Sequence, residues 1–152
     1  MIEEGKKAPA FSLLSDEGVQ VSLKDFKGQS VILYFYPKDS TPGCTQESGD
    51  FRDSFAKFKK SGAVVLGISR DSVASHAKFK AKHSLTFPLL SDTEGEVCEA
   101  YGVWQEKSLY GRKFMGIVRT TVVIDSDGKV MKIFSKVKVK GHVDEVLQLF
   151  KK

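Results

Sequence analysis

One cysteine in this sequence lies where its thiol can be activated. The apolar run from Val31 to Tyr36 predicts a buried strand, and Cys44 follows it at the point where a helix is expected to begin. A cysteine in the first turn of a helix lies among unpaired backbone N–H groups at the positive end of the helix dipole, which favours thiolate over thiol. We therefore interpret Cys44 as a reactive thiol.

The residues around Cys44 are similar to those of a known family. The pattern Pro37-x-x-x-Thr41-x-x-Cys44 resembles the active-site motif of the peroxiredoxins, which are thiol peroxidases on a thioredoxin-like fold. Further similarity is to the branch called bacterioferritin comigratory protein, or PrxQ, and it lies in segments 34–39, 41–45, 50–53, 97–104 and 116–121. Because these segments follow the family's order from about Gly5 to Phe150, they argue against chance similarity.

The resemblance implies a fold and an activity. The expected fold is thioredoxin-like α/β, with a central mixed sheet flanked by helices and an N-terminal β-hairpin extension. The expected reaction reduces hydrogen peroxide and organic hydroperoxides to water and alcohols through a sulfenic acid at Cys44. Thioredoxin or another external thiol would then restore the cysteine.

Ionisation of the thiol does not by itself account for a peroxidase. An ordinary cysteine is already a few per cent ionised at neutral pH, so complete ionisation gains at most about 30-fold. The remaining acceleration requires donors aimed at the O–O bond, and Thr41, one turn before Cys44, can supply a hydroxyl. By resemblance, Arg119 supplies fixed charged donors and Pro37 helps to exclude water. Spacing and resemblance make Glu47 a possible anchor for Arg119.

Each of these assignments has a structural alternative. Thr41 could cap the helix, a role that is compatible with catalysis. Pro37 could serve only as a turn former, and Arg119 could be an exposed strand residue. The sequence leaves these alternatives open.

The sequence departs from the family at the resolving cysteine. Many members of the branch carry this cysteine five residues after the reactive one, where this chain has Gly49, and others carry it in the next helix, expected at about Ser72 to His83 and without cysteine here. Two cycles remain. In the one-cysteine cycle, which we favour, thioredoxin, glutaredoxin or glutathione attacks the sulfenic acid directly. In the other cycle Cys98 resolves it, although its apolar neighbours predict a packed thiol.

Composition narrows the class of protein. A chain of 152 residues that is 41% hydrophobic predicts one domain, residues 1–152, with a sizeable core. Two cysteines, three scattered histidines and no C-x-x-C motif predict neither a disulfide scaffold nor a metal or other cofactor. No signal-peptide pattern or membrane-spanning apolar run is present, so we expect a cytoplasmic protein. The lysines are spread along the chain, which argues against nucleic-acid and membrane partners.

Hydrophobic periodicity predicts alternating strands and helices. A hairpin is expected over 9–22, a helical turn over 22–27, strands over 31–36, 63–69, 89–91, 118–124 and 130–134, and helices from Cys44 to about Ser61, over 72–83, 97–101 and 142–150. This alternation favours an α/β sandwich.

Two further functions compete with a monomeric thiol peroxidase. A redox-sensing or chaperone-like protein would oxidise Cys44 without fast turnover. A disulfide reductase is disfavoured, because that chemistry uses two neighbouring cysteines and the sequence has no C-x-x-C.

Overall fold

The computed structural model describes residues 2–150, which form nine strands and five α-helices. The strands are β1 (Ser12–Ser15), β2 (Gln20–Ser22), β3 (Ser30–Phe35), β4 (Ala63–Ser69), β5 (Leu89–Ser91), β6 (Trp104–Leu109), β7 (Arg112–Ile117), β8 (Thr120–Ile124) and β9 (Val130–Phe134). The helices are α1 (Pro42–Asp53), α2 (Phe55–Lys60), α3 (Val73–His83), α4 (Glu96–Ala100) and α5 (His142–Gln148), and a 3-10 helix spans Leu23–Phe26.

Seven strands form one mixed sheet in the order β2-β1-β5-β4-β3-β8-β9. Strand β3 is an inner strand that lies parallel to β4 on one side and antiparallel to β8 on the other. The β1–β2 hairpin extends the sheet beyond β5, and β6 pairs with β7 as a separate two-stranded sheet. The predicted α/β architecture, with a mixed central sheet and an N-terminal hairpin, is confirmed.

The alternation of side chains along β3 builds two cores. Val31, Leu33 and Phe35 pack on one face with Cys98 of α4. Ile32 and Tyr34 point to the opposite face and pack with α1, α2, α3 and α5. We call these faces the α4 side and the α1 side of the sheet. Because both faces are covered, β3 is apolar at nearly every position, as expected for an inner strand.

The register of β8 against β3 determines which residues meet at the carboxyl end of β3. Phe35, the last residue of β3, pairs with Thr120, the first residue of β8. Arg119 therefore lies beside the segment that leaves β3 and enters α1. Strand pairing thus brings together residues more than 70 positions apart in the sequence.

Apart from shifts of one to three residues at element ends, the structure differs from the predicted elements in two places. The helix expected from Cys44 to about Ser61 ends at Asp53, and α2 begins at Phe55 after a break at Ser54. The β6–β7 hairpin was not predicted, because its strands alternate weakly and are largely exposed. Within residues 2–150, no helix is long and apolar enough to cross a membrane.

Gly67 in β4 provides a test of the packing between β3 and β5. A Cβ atom at Gly67 would lie 2.8 Å from Leu89 Cδ2 and 2.8 Å from the Tyr34 hydroxyl oxygen. We expect Gly67→Ala to destabilise the protein by about 1–3 kcal/mol through overpacking. Chemical denaturation with urea measures this change.

Gly49→Ala is the matched control, because a Cβ atom there would lie 3.6 Å from Arg52 Nη2, an ordinary contact distance. In the interior of α1 this change should stabilise the protein by about 0.5–1 kcal/mol. Equal stability of the two variants would contradict the packing described for Gly67.

Candidate active site

Cys44 lies in the first turn of α1, as predicted. Strand β3 ends at Phe35, Thr41 occupies the N-cap position, and α1 begins at Pro42. The Thr45 N–H donates to the Thr41 carbonyl at 2.9 Å, so the Cys44 N–H belongs to the helix-terminal donors that precede the first helical hydrogen bond. The Cys44 side chain is fully buried, with 0% exposure.

Arg119 joins the Cys44 sulfur to a buried carboxylate. Its Nη2 donates to Cys44 Sγ at 3.3 Å, and its Nη1 donates to Glu47 Oε1 at 2.7 Å. Glu47 lies three residues after Cys44, so both side chains occupy the same face of α1. The structure therefore forms the predicted Arg119–Glu47 pair and places it beside Cys44 in one hydrogen-bonded chain.

The hydrogen-bonded groups of Glu47, Arg119 and Cys44 influence one another's ionisation. Burial raises the pKa of Glu47 to about 7, because loss of hydration outweighs the attraction of Arg119. Among the described residues, Glu47 Oε2 has no hydrogen-bond partner, which adds to the cost of its charge. Burial opposes the charge on Arg119, but the neighbouring Glu47 and Cys44 raise the pKa of the guanidinium.

Gly43 leaves room for Arg119 to reach the sulfur. A Cβ atom at position 43 would lie 3.1 Å from Arg119 Nη2, closer than ordinary van der Waals contact. Gly43 lies in the similar segment 41–45, but the sequence alone assigns it no role. The one indication in the sequence is that a glycine directly precedes Cys44.

The Thr41 hydroxyl is directed into the loop rather than onto the helix. Thr41 Oγ1 donates to the Lys38 carbonyl at 2.8 Å, and the side chain makes no capping hydrogen bond to α1. Thr41 is therefore at the N-cap position without acting as a side-chain cap. Pro37 is half-buried in the same connection, one residue after Tyr36.

A buried hydrogen-bond network, not predicted from the sequence, anchors the loop between β3 and α1 to α3. Asp39 accepts hydrogen bonds from the Tyr36 hydroxyl at 2.6 Å and the Ser75 hydroxyl at 2.8 Å, and it contacts His76 Nδ1 at 2.8 Å. The Asp39 N–H donates to Asp71 Oδ2 at 2.8 Å. Burial alone would raise the pKa of Asp39, but the bonds with His76 and Tyr36 outweigh it and hold the pKa below its usual value.

The same network groups three residues whose side chains can bind metals. Potential ligand atoms of Asp39, Asp71 and His76 lie within 4.8 Å of one another. Hydrogen bonds already engage these side chains, including a 3.0 Å contact between His76 Nε2 and the Leu90 carbonyl. The geometry thus explains the cluster as a structural clamp on the loop that precedes Cys44.

Cys98 is not part of this arrangement. It lies on the α4 side of the sheet, whereas Cys44 lies on the α1 side, and both thiols are free and buried. The Cys98 N–H donates to Asp92 Oδ2 at 2.8 Å. Burial, with the nearby Asp92 carboxylate, raises the pKa of the Cys98 thiol well above its usual value, which opposes formation of a reactive thiolate.

Comparison with known proteins identifies the family. A model of the AhpC/TSA family matches residues 4–133, and the chain therefore belongs to this family. A putative peroxiredoxin bcp of Coxiella burnetii is 56% identical over 146 residues, which cover 96% of this chain and 97% of the relative. Peroxiredoxin Bcp of Bacillus subtilis is 51% identical over 150 residues, 99% of this chain and 96% of that protein.

Solved structures agree with these relatives. Peroxiredoxin Q of Xanthomonas campestris is 43% identical, has a TM-score of 0.91, and is matched over 97% of this chain and 96% of its own. A second structure, of the Xanthomonas campestris bacterioferritin comigratory protein, concerns alkyl peroxide reduction and has a TM-score of 0.91 at 42% identity, over 97% of each chain. The predicted thioredoxin-like fold and PrxQ resemblance are confirmed: the protein is a thiol peroxidase that reduces peroxides with a thiol reductant.

The Asp39 network predicts a pH-dependent contribution to stability. Asp39→Asn should destabilise the protein at pH 7 by about 1–3 kcal/mol, because it breaks a buried hydrogen-bonded network. Since the folded-state pKa of Asp39 is lowered, the wild-type advantage is present above its unfolded pKa of about 4 and is lost as pH falls through the folded pKa. Urea unfolding of both proteins between pH 7 and pH 3 measures the difference.

Asp127→Asn, at an exposed turn position, is the control for loss of a carboxylate. Its unfolding free energy should stay close to that of the wild type over the same range. A difference between wild type and Asp39→Asn that does not shrink on acidification would contradict the role assigned to the Asp39 charge.

Proposed function

We propose that Cys44 is the peroxidatic nucleophile and that Arg119, Thr41 and Pro37 complete its site. The observation that carries this proposal is the 3.3 Å hydrogen bond from Arg119 Nη2 to Sγ of the buried Cys44, in the first turn of a helix. This geometry favours a thiolate and places a fixed cation where the peroxide oxygens must lie. Nearly all other features of the site support this contact.

The first chemical step is a two-electron transfer from sulfur to oxygen. The Cys44 thiolate attacks the terminal oxygen of the hydroperoxide, an S–O bond forms and the O–O bond breaks. Cys44 becomes a sulfenic acid, and the departing oxygen takes up a proton and leaves as water or alcohol. Arg119 and the Cys44 N–H stabilise the negative charge that moves onto the departing oxygen.

Thr41 orients the incoming peroxide. Because its hydroxyl hydrogen is engaged by the Lys38 carbonyl, the Thr41 oxygen is available to accept the O–H of a hydroperoxide. This contact would fix the peroxide end-on to the sulfur. Pro37 has no N–H to bind water and limits the access of solvent to Cys44.

Glu47 supports catalysis without contacting the peroxide. Its 2.7 Å hydrogen bond holds one end of the Arg119 guanidinium, so that the other end points at the sulfur. Holding a charged donor in place before the reaction avoids the cost of reorganising it during the reaction. Glu47 is therefore a positioning residue.

We propose a one-cysteine cycle for the reduction of Cys44. Gly49 occupies the usual resolving position, the described helix α3 contains no cysteine, and Cys98 lies across the sheet from Cys44. An external thiolate attacks the sulfenic sulfur, an S–S bond forms and the S–O bond breaks, and the departing hydroxide takes up a proton and leaves as water. A second thiol displaces Cys44 and leaves as the oxidised reductant.

The proposal extends to the substrates, the reductant and the cellular compartment. We propose hydrogen peroxide and organic hydroperoxides as substrates, with thioredoxin, glutaredoxin or glutathione as the reductant. The alkyl peroxide activity named for the Xanthomonas campestris relative supports the organic substrates. We also propose a single domain that acts as a cytoplasmic monomer, since two free thiols suit a reducing compartment.

Substitution of each cysteine tests the cycle. With thioredoxin, thioredoxin reductase and NADPH, Cys44→Ser should abolish peroxide consumption, because serine cannot form a sulfenic acid. Cys98→Ser should retain turnover within about twofold, because a side chain on the opposite face of the sheet does not contact the reacting atoms and leaves the barrier unchanged. Glutathione with glutaredoxin serves as the second donor system.

Loss of sustained turnover in Cys98→Ser, with an intact first oxidation of Cys44, would make Cys98 the resolving residue. A single stoichiometric oxidation of the wild type with every donor would replace the peroxidase mechanism with a redox sensor.

Glu47 predicts how the oxidation rate depends on pH. Glu47→Gln keeps the shape of the side chain and removes its charge, so oxidation of Cys44 should slow by about tenfold at pH 8, equivalent to about 1.4 kcal/mol. Because the pKa of Glu47 is about 7, the wild-type carboxyl is neutral at low pH, and the ratio of the two rates should approach one below pH 6. Stopped-flow fluorescence of Cys44 oxidation measures both rates.

Glu99→Gln, at an exposed position of α4, controls for a change in overall charge. A constant ratio of wild-type to Glu47→Gln rates from pH 6 to pH 8 would refute the electrostatic role of Glu47.

A further inference from the structure

The β6–β7 hairpin exposes large apolar side chains that the peroxidase mechanism does not use. Leu109 is 57% exposed, Tyr110 97%, Phe114 45% and Met115 51%. Tyr110 and Gly111 both have positive φ angles, 52° and 78°, which form the tight turn between the strands. Exposed apolar groups concentrated on one element indicate an interaction surface.

One face of the hairpin combines apolar and cationic residues. The pairing of Lys107 with Phe114 and of Leu109 with Arg112 places these four residues on the same face, because side chains alternate along each strand. We call these four residues the docking face. A surface of this composition fits an apolar patch with acidic residues beside it.

The docking face adjoins the reactive thiol. Lys107 Nζ donates to the Ile117 carbonyl at 3.0 Å, two residues before Arg119. Gly116 gives the lysine room, since a Cβ atom there would lie 3.1 Å from Lys107 Cδ. Partial burial and the charge of Arg119 lower the pKa of Lys107, while the charge of Cys44 opposes this shift, so both site residues are near enough to act on it.

The distance from the docking face to the site, compared with the width of a protein interface, distinguishes a protein reductant from a small thiol. At about 3.4 Å per residue, Phe114 lies about 10 Å along β7 from Ile117. A standard protein interface covers about 800 Å² on each partner, which is about 28 Å across. A protein whose cysteine reaches Cys44 therefore also covers the docking face, whereas a small thiol does not.

We propose that the docking face binds the protein reductant, a thiol–disulfide protein with an apolar surface around its reactive cysteine and acidic residues at the rim. This inference rests on the proposed reduction of Cys44 by an external thiol. Leu109 and Phe114 supply apolar contacts, and the exposed Arg112 pairs with the acidic rim. The partner's thiolate then attacks the sulfenic sulfur of Cys44, an S–S bond forms, the S–O bond breaks, and the departing hydroxide takes up a proton and leaves as water. A second partner thiolate attacks the partner's sulfur in the mixed disulfide, which releases Cys44 as a thiolate and leaves the partner's own disulfide.

A protein reductant explains this location better than a lipid surface or a second copy of the chain. The buried Cys44 requires a partner that approaches this end of the sheet in every cycle. A lipid surface or a second copy bound to the docking face would cover the approach to Cys44 and obstruct reduction. The reductant alone gains from contacts that lie beside the thiol.

Charge reversal and truncation on the docking face test the proposal. Arg112→Glu and Phe114→Ala should each lower kcat/KM for reduced thioredoxin by about tenfold, through a higher KM, as for truncation of an interface contact. Turnover with dithiothreitol should stay within twofold of wild type, because neither residue contacts Cys44. Lys24→Glu is the control: Lys24 is exposed and lies before the start of β3, at the opposite end of that strand from Cys44.

The outcomes distinguish this proposal from the one on which it rests. Failure of the wild type to turn over with dithiothreitol would overturn the Cys44 mechanism itself. Normal turnover with dithiothreitol but none with thioredoxin or glutaredoxin, or unchanged kinetics in both variants, would overturn the docking proposal alone. Two further results would also overturn the docking proposal. Binding of the wild type, but of neither variant, to phosphatidylcholine–phosphatidylglycerol vesicles would assign the face to lipid. A wild-type dimer in light scattering that is lost in both variants would assign the face to a second copy of the chain.

Discussion

The hydrogen bond between Arg119 and the Cys44 sulfur is the contact on which the site depends. It requires a guanidinium that reaches a buried sulfur without losing its charge, and Glu47 meets this requirement from the same helix as Cys44. It also requires open space, which Gly43 provides. Finally, the pairing of Phe35 with Thr120 delivers Arg119 to the end of β3. A strand register, a glycine and a buried carboxylate thus serve one contact.

The central sheet divides the two cysteines into different chemical environments. Cys44 lies on the α1 side, beside a cation and helix-terminal amides, whereas Cys98 lies on the α4 side, beside the carboxylate of Asp92. In general, a cation beside a buried sulfur stabilises a thiolate, whereas a carboxylate beside it opposes ionisation. The two thiols are therefore equally buried but lie beside opposite charges. A disulfide between them would have to join residues on opposite faces of the sheet.

The sequence was sufficient for the parts of the structure that depend on local pattern. The apolar run 31–36 predicted β3, and the position of Cys44 after it predicted a thiol at a helix N-terminus. The Arg119–Glu47 pair was predicted from resemblance and helical spacing. The Asp39–His76 clamp was missed because its members are 37 residues apart and only strand order brings them together. The β6–β7 hairpin was missed because an exposed two-stranded sheet shows no sustained apolar alternation.

The break at Ser54 limits how far a disturbance of α1 travels. The inward side of α1 consists mainly of small and polar residues, with Phe51 as its one buried aromatic side chain. The Phe51 ring packs against the buried Phe58 of α2, with 5.9 Å between ring centroids, so the last turn of α1, not its first turns, is tied to α2. Two glycines, Gly43 and Gly49, further weaken α1 as a helix. The first turns of α1 thus form a small cooperative unit whose opening requires less free energy than unfolding of the sheet. In the proposed cycle, fraying of this unit would bring the oxidised Cys44 sulfur to the surface while the sheet that rebuilds the site stays folded.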